Sequence, residues 1–215
     1  MVLVAIFIGA IAQRIAGLGF ALLISPFLVI ILGSHGGVLM VNICGLVSSL
    51  LIMSRVWRDI DWNMYRWLAI PAVLASVPAS AAAVYLPSAP LAVTVGAVVL
   101  AALSTSLLLQ RTSVVITGNV PKAVAGFASG ITNAMAGAGG PAVSVYALLA
   151  RWPQRSFAAT LQPFFVTTAA VTLTSKLSLD PGQMPPPAGL GLGAGGRHDC
   201  RWHLHGGEAA ALHPR

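Results

Sequence analysis

An all-α, polytopic helical membrane protein, built from two related repeats with glycine-broken helices, is the fold class this sequence predicts. Three observations carry that expectation. Hydrophobic residues fill 57% of the 215 positions and charged residues only 8%, whereas soluble domains carry about 25% charged residues. Apolar runs of the ~20 residues needed to cross a bilayer recur from Val2 to Leu177. A glycine-rich interruption also occurs twice: with an offset of 120 residues, Ala16-Gly17-Leu18-Gly19 falls on Ala136-Gly137-Ala138-Gly139.

The net charge of +7 does not indicate nucleic acid. The twelve Lys and Arg mostly flank apolar runs instead of forming one stripe, which is the pattern of positive loops beside membrane spans. The lipid bilayer is therefore the expected surrounding and nucleic acid is not an expected partner. Cys44 lies inside an apolar run and reads as a small buried hydrophobe. No spacing of Cys44 and Cys200 suggests a disulfide framework or zinc site. The first apolar run lacks a basic start and outlasts a signal-peptide core, so no cleavable leader is expected.

Taken in order, the first unit is Val2 to Gly33, too long for one straight crossing. It contains Gln13, Arg14 and the break Gly17-Leu18-Gly19. A mid-run arginine costs about 2.5–3.5 kcal/mol or more unless it faces a cavity or partner. A second span, Val38 to Val56, contains Asn42. Arg55 to Trp67 follows, with three Arg, three Trp and one Tyr, the composition of a membrane interface. The third span, Trp67 to Leu86, is expected to be interrupted by Pro71 and Pro78. Its small residues suit close helix packing. The fourth span is Leu91 to Leu109. Residues 1–111 form the first membrane repeat, 112–122 a linker with a turn at Gly118-Asn119, and 123–180 an incomplete second repeat.

The second repeat opens with Gly126 to Ala150, which carries Gly137, Gly139, Gly140 and Pro141. Interior glycines cost about 0.5–1 kcal/mol each relative to alanine, and an interior proline costs about 3 kcal/mol. Two half-helices meeting at an unwound break are therefore expected, and hydrocarbon tolerates such a break only inside protein or against a wet cavity. The sixth span, Phe157 to Leu177, contains Gln162, which the same offset aligns with Asn42. Paired interruptions in corresponding halves point to a transporter binding site. The candidate substrate-binding residues are accordingly Gln13, Arg14, Gly17, Gly19, Asn42, Asn133, Gly137, Gly139, Gly140, Pro141 and Gln162. Plain packing glycines and amides acting as interhelical hydrogen-bond glue are the competing readings.

Loop charges leave the topology open. Simple alternation would put the loop after the fifth unit outside, yet it carries Arg151 and Arg155. Either the repeats are inverted, or a broken unit is a re-entrant hairpin that does not cross. An enzyme is not expected. The ionisable residues within apolar runs are Arg14 and Lys176, without a carboxylate pair or Ser-His-Asp set. No phosphate cradle is read either, since no strand precedes the glycines and no lysine of the required kind follows them. No cofactor is called for.

From Pro181 onward the character changes to a proline- and glycine-rich polar tail, residues 181–215, expected to be disordered. Four of the five histidines lie in the last 18 residues. A genuine polar tail, an altered reading frame, and a metal site of His198, Cys200, His203 and His205 compete here. The metal reading lacks supporting spacing.

The runs GAIAQRIAGLGFALLISPFLVIILG and GFASGITNAMAGAGGPAVSVYALL, with IDW after the second span and WPQRSFAATLQPFF after the fifth unit, resemble the sulfite exporter TauE/SafE family of membrane permeases. The resemblance covers roughly Ile6 to Leu177. Its most specific part is Asn133, Gly137, Gly139, Gly140 and Pro141, echoed by Gln13, Gly17, Gly19 and Phe20. It implies a multi-pass carrier of the bacterial inner membrane with about eight spans, of which about six apolar units are present here. It also implies small anionic sulfur compounds, such as sulfite or organosulfonates, as substrates. A non-transporting membrane subunit, or a non-functional truncated fragment of such a carrier, is the alternative. Homo-oligomerisation is left open.

Overall fold

The computed structural model describes residues 19–109 and 115–180. Among these residues every regular element is helical: α1 (Gly19–Val56), a short 3-10 turn (Trp57–Asp59), α2 (Trp62–Tyr85), α3 (Ser88–Leu109), α4 (Asn119–Ala136), α5 (Gly140–Leu149) and α6 (Gln154–Leu179). Three stretches are long and apolar enough to cross a membrane: Phe27–Asp59, Trp62–Tyr85 and Gln154–Leu179. The helical membrane fold expected from composition is the fold observed.

α1 is not straight. Its 38 residues would extend about 57 Å as one helix. Gly33 instead adopts φ 77°, ψ 166°, a region readily open only to glycine, and the chain reverses there. A Cβ on Gly37 would come within 2.6 Å of the Val29 backbone, although eight residues of continuous helix would separate the two by about 12 Å. Residues 19–32 and 34–56 therefore lie side by side as antiparallel arms. The boundary read from the sequence at Gly33 is the point of reversal.

α2 corrects one expectation. It runs unbroken through Pro71 and Pro78, so neither proline interrupts the span. Neighbouring helices and local adjustment stabilise a proline-containing membrane helix. Asp61 caps it, its side chain accepting from the N–H groups of Asn63 and Met64 at 3.1 and 3.0 Å. α4 packs directly on α2 because Gly126 and Gly130 have no side chains. A Cβ at either position would overlap the carbonyl oxygen of Leu68 or Ala72. The Gly-xxx-Gly spacing thus brings two backbones into contact. α4 begins at Asn119, so the expected linker contributes its last four residues to this helix.

α4 and α5 form a hairpin. The N–H of Ile116, just before α4, donates to the carbonyl of Leu149 at the end of α5, at 3.0 Å. The unit therefore enters and returns on the same side. Arg151, at φ 49°, makes the next reversal, and α6 follows. Gly33 and Arg151 are thus corresponding turns in the two repeats.

The helices following these turns run in opposite directions. Arg155, opening α6, pairs with Asp59, just beyond α1, at 3.0 Å. Farther along, Asn42 and Thr172 meet through Asn133, and His35 lies within electrostatic reach of Lys176 and Asp180. The two readings left open by the loop charges are therefore both realised: the corresponding helices are inverted and the second broken unit is re-entrant. As a result Arg55, Arg58, Arg66, Lys122, Arg151 and Arg155 gather at one end.

Two outcomes are expected. Gly130→Leu should destabilise the protein by about 1–3 kcal/mol through overpacking, measured as a lower midpoint in detergent thermal denaturation. Single cysteines replacing Asn119 and Gln154 in a cysteine-free background should react with an impermeant maleimide from the same side of the membrane. Labelling from opposite sides would contradict the hairpin.

Candidate functional site

The tip of the α4–α5 hairpin is held by backbone geometry first. Gly137 ends α4 in the left-handed conformation, φ 68°, with its N–H donating to the Asn133 carbonyl at 2.8 Å, a common helix-terminating device. Pro141 does not break a helix here. It occupies the first turn of α5, where a missing N–H has no consequence. Gly139 and Gly140 are buried between the two helices. The carbonyl of Gly139 accepts a hydrogen bond from Ser129 Oγ, which folds the tip back onto α4. The amide groups opening α5 have no side-chain cap, so the positive end of that helix dipole is directed into the protein.

Around this tip the two repeats meet. Asn133 Nδ2 donates to Asn42 Oδ1 at 3.0 Å and to Thr172 Oγ1 at 3.1 Å. Asn42 Nδ2 in turn donates to the Val38 carbonyl at 2.9 Å. Ser25 Oγ donates to the Ala136 carbonyl at 2.7 Å, joining the first arm of α1 to the end of α4. Val29, Val38, Val95, Ala136 and Ala138 close the apolar side of the junction. Asn42 and Asn133 are both buried. Asn133 stands 14 residues from the start of α4, about 21 Å from the positive end.

The structure thus brings together Asn42, Asn133, Gly137, Gly139, Gly140 and Pro141. It does not bring Gln162 to them. Gln162 lies ten residues before Thr172 on α6, about 15 Å away along the axis. Its Nδ2 counterpart, Nε2, donates to the Ala158 carbonyl at 3.0 Å, and its Oε1 is buried without a partner. The offset that aligned it with Asn42 matches positions in the two repeats, and inversion carries those positions to different depths. Gly19 opens α1. Gln13, Arg14 and Gly17 lie outside the described residues, as does the histidine- and cysteine-containing tail. Within the described residues no three His, Cys, Asp or Glu converge as metal ligands.

Sequence reasoning missed Ser25, Ser129 and Thr172, since an isolated hydroxyl in an apolar run gives no signal. It noted Lys176 only as an ionisable residue near a span end. Lys176 is fully buried, and its Nζ has no hydrogen-bond partner. A readable sign existed. Thr160, Thr168, Thr172 and Lys176 recur at multiples of four on α6 and all are buried, a polar stripe turned inward on an apolar helix.

The family model Sulfite exporter TauE/SafE matches residues 1–197, extending at both ends beyond the stretch of resemblance noted in the sequence. Neither a curated protein nor a solved structure matches the chain.

The amide junction yields a quantitative expectation. A double-mutant cycle on Asn42→Ala and Asn133→Ala, measured by thermal or denaturant unfolding in detergent, should show a coupling of about 0.6 kcal/mol, the average for membrane interhelical hydrogen bonds.

Proposed function

The chain belongs to the sulfite exporter TauE/SafE family, and on that footing we propose that it is a secondary carrier of small sulfur-containing anions, such as sulfite or organosulfonates, in the bacterial inner membrane. The family is one of membrane permeases, and the apolar helices suit a multi-pass protein. The observation that carries the finer reading is the buried junction at the tip of the α4–α5 hairpin. There, an interrupted helix of one repeat meets Asn42 of the other.

In this reading the free amides opening α5 attract an oxyanion, because the N-terminal end of a helix bears about half a positive charge. Gly139 lets the tip pack against Ser129 and Asn133 of α4, and Pro141 fixes where α5 begins. Asn133 spends both Nδ2 protons on Asn42 and Thr172, so it positions the tip while the backbone faces the substrate. Gln13, Arg14, Gly17 and Gly19 belong to the corresponding break of the first repeat, with Arg14 adding a fixed positive charge. Gln162 supplies a buried amide nearer the positive end.

Alternating access follows from inversion. Exchange of conformation between two oppositely directed repeats converts an inward opening into an outward one. The acidic residues of the described segments, Asp59, Asp61 and Asp180, lie at helix ends, so backbone carbonyls or the substrate gradient itself would provide the coupling.

The test is sulfite counterflow in proteoliposomes. A Cβ on Gly139 would lie 2.9 Å from Ser129 Oγ and 3.1 Å from Asn133 Cβ, so Gly139→Leu fills the break. Combined with Arg14→Ala, it should lower exchange at least about tenfold, equivalent to 1.4 kcal/mol. Undiminished exchange by the double variant would rule out this site.

A further inference from the structure

We infer that Lys176, with His35 within electrostatic reach, is the charge receptor for a small oxyanion on the side of the molecule away from the positive end; the inference rests on the carrier reading above. Lys176 has 0% exposure, and its ammonium meets no hydrogen-bonding or ion-pairing group. The bland role for a lysine in the last turn of a spanning helix is to extend its head group to the interface. Complete burial excludes that posture here. Asp180 stands one turn farther on, and no hydrogen bond or ion pair joins it to Lys176.

A second unpaired nitrogen lies nearby. His35 is within electrostatic reach of Lys176 and has a backbone hydrogen bond at Leu86, yet its Nδ1 is buried without a partner. The two groups arrive from the two inverted repeats: His35 two residues after the Gly33 reversal, Lys176 near the end of α6. One turn toward the junction, Thr172 accepts from Asn133 and donates to no group among the described residues, so its hydroxyl proton is available. An ammonium and a hydroxyl on adjoining turns of α6 match an oxyanion that both accepts and carries charge, and the unpaired Nδ1 of His35 can accept from the anion's protonated form. A buried cation without a counter-charge is strongly unfavourable, and an anion entering this region would relieve that cost. The receptor continues the path from the hairpin tip, with Asn133 and Thr172 as the link.

The experiment uses the full chain in detergent, with sodium sulfite as probe and sodium chloride at matched ionic strength as control. The wild type should gain thermal stability with sulfite. Lys176→Met should be more stable than wild type without anion, because an unpaired charge is removed, and should bind sulfite about thirtyfold or more weakly, as expected for loss of a buried charge partner. Lys176→Arg should retain sulfite-dependent stabilisation. Where methionine prevents folding, Lys176→Gln carries the same expectation for sulfite. Sulfite stabilisation of Lys176→Met at wild-type concentrations would overturn the assignment while leaving the carrier reading intact, provided wild-type counterflow persists. Lower anion-free stability of Lys176→Met would also overturn it, by showing that the lysine is stabilised within the protein. If wild-type protein neither exchanges nor is stabilised by sulfite or methanesulfonate, the carrier reading fails and this inference falls with it.

Discussion

Both Nδ2 protons of Asn133 are committed, one to Asn42 and one to Thr172, and much of the architecture depends on that doubly donating amide. In hydrocarbon an interrupted helix survives only if its freed polar groups find partners within the protein. The tip of the α4–α5 hairpin meets this condition with few atoms. Gly137 caps α4 through its own N–H, Ser129 covers the Gly139 carbonyl, and Ser25 covers that of Ala136. Asn133 then fastens the assembled tip to one helix of each repeat. The backbone contact of α4 with α2 at Gly126 and Gly130 sets the tip at its depth.

Inversion explains why the charge pattern looked contradictory. A chain that crossed at every apolar run would scatter its basic loops over both faces. Here a hairpin replaces a crossing and returns the chain to the face it left, and the turn at Arg151 then starts α6 from that same face. The Arg155–Asp59 pair and the Asp61 N–H to Thr160 hydrogen bond, 2.9 Å, hold those loops together. The aromatic contacts Tyr146–Trp152 and Trp152–Phe157 brace the turn at Arg151, a non-glycine residue held at positive φ.

The membrane class, the helix positions and the glycine break at Gly137–Pro141 were legible because composition, run length and clustered glycines act locally. The direction of each segment was not. Hydropathy is the same for a crossing and for a hairpin, and only the Ile116–Leu149 contact distinguishes them. Pro71 and Pro78 misled for a related reason: propensity disfavours an interior proline, but tertiary packing within a membrane overrides it. Asn42 and Asn133 were found as amides beside breaks. Gln162 was chosen through the repeat offset, which conserves position in the fold and not depth in the bilayer. Thr172 and Lys176 required knowing which face of α6 turns inward.

The gathered cations at one end have a consequence for ion traffic. Among the described residues, Arg55, Arg58, Arg66, Lys122, Arg151 and Arg155 share that end with two carboxylates, Asp59 and Asp61, the charge bias that the positive-inside rule associates with the cytoplasmic side. Such a surface enriches small anions within a Debye length of about 8 Å at physiological salt, raising their encounter rate with that end of the protein. On the carrier reading proposed above, an inside-negative potential would drive each transferred negative charge outward with about 2.3 kcal/mol per 100 mV. The residues that orient the protein in the bilayer therefore also act as an antechamber in which small anions accumulate.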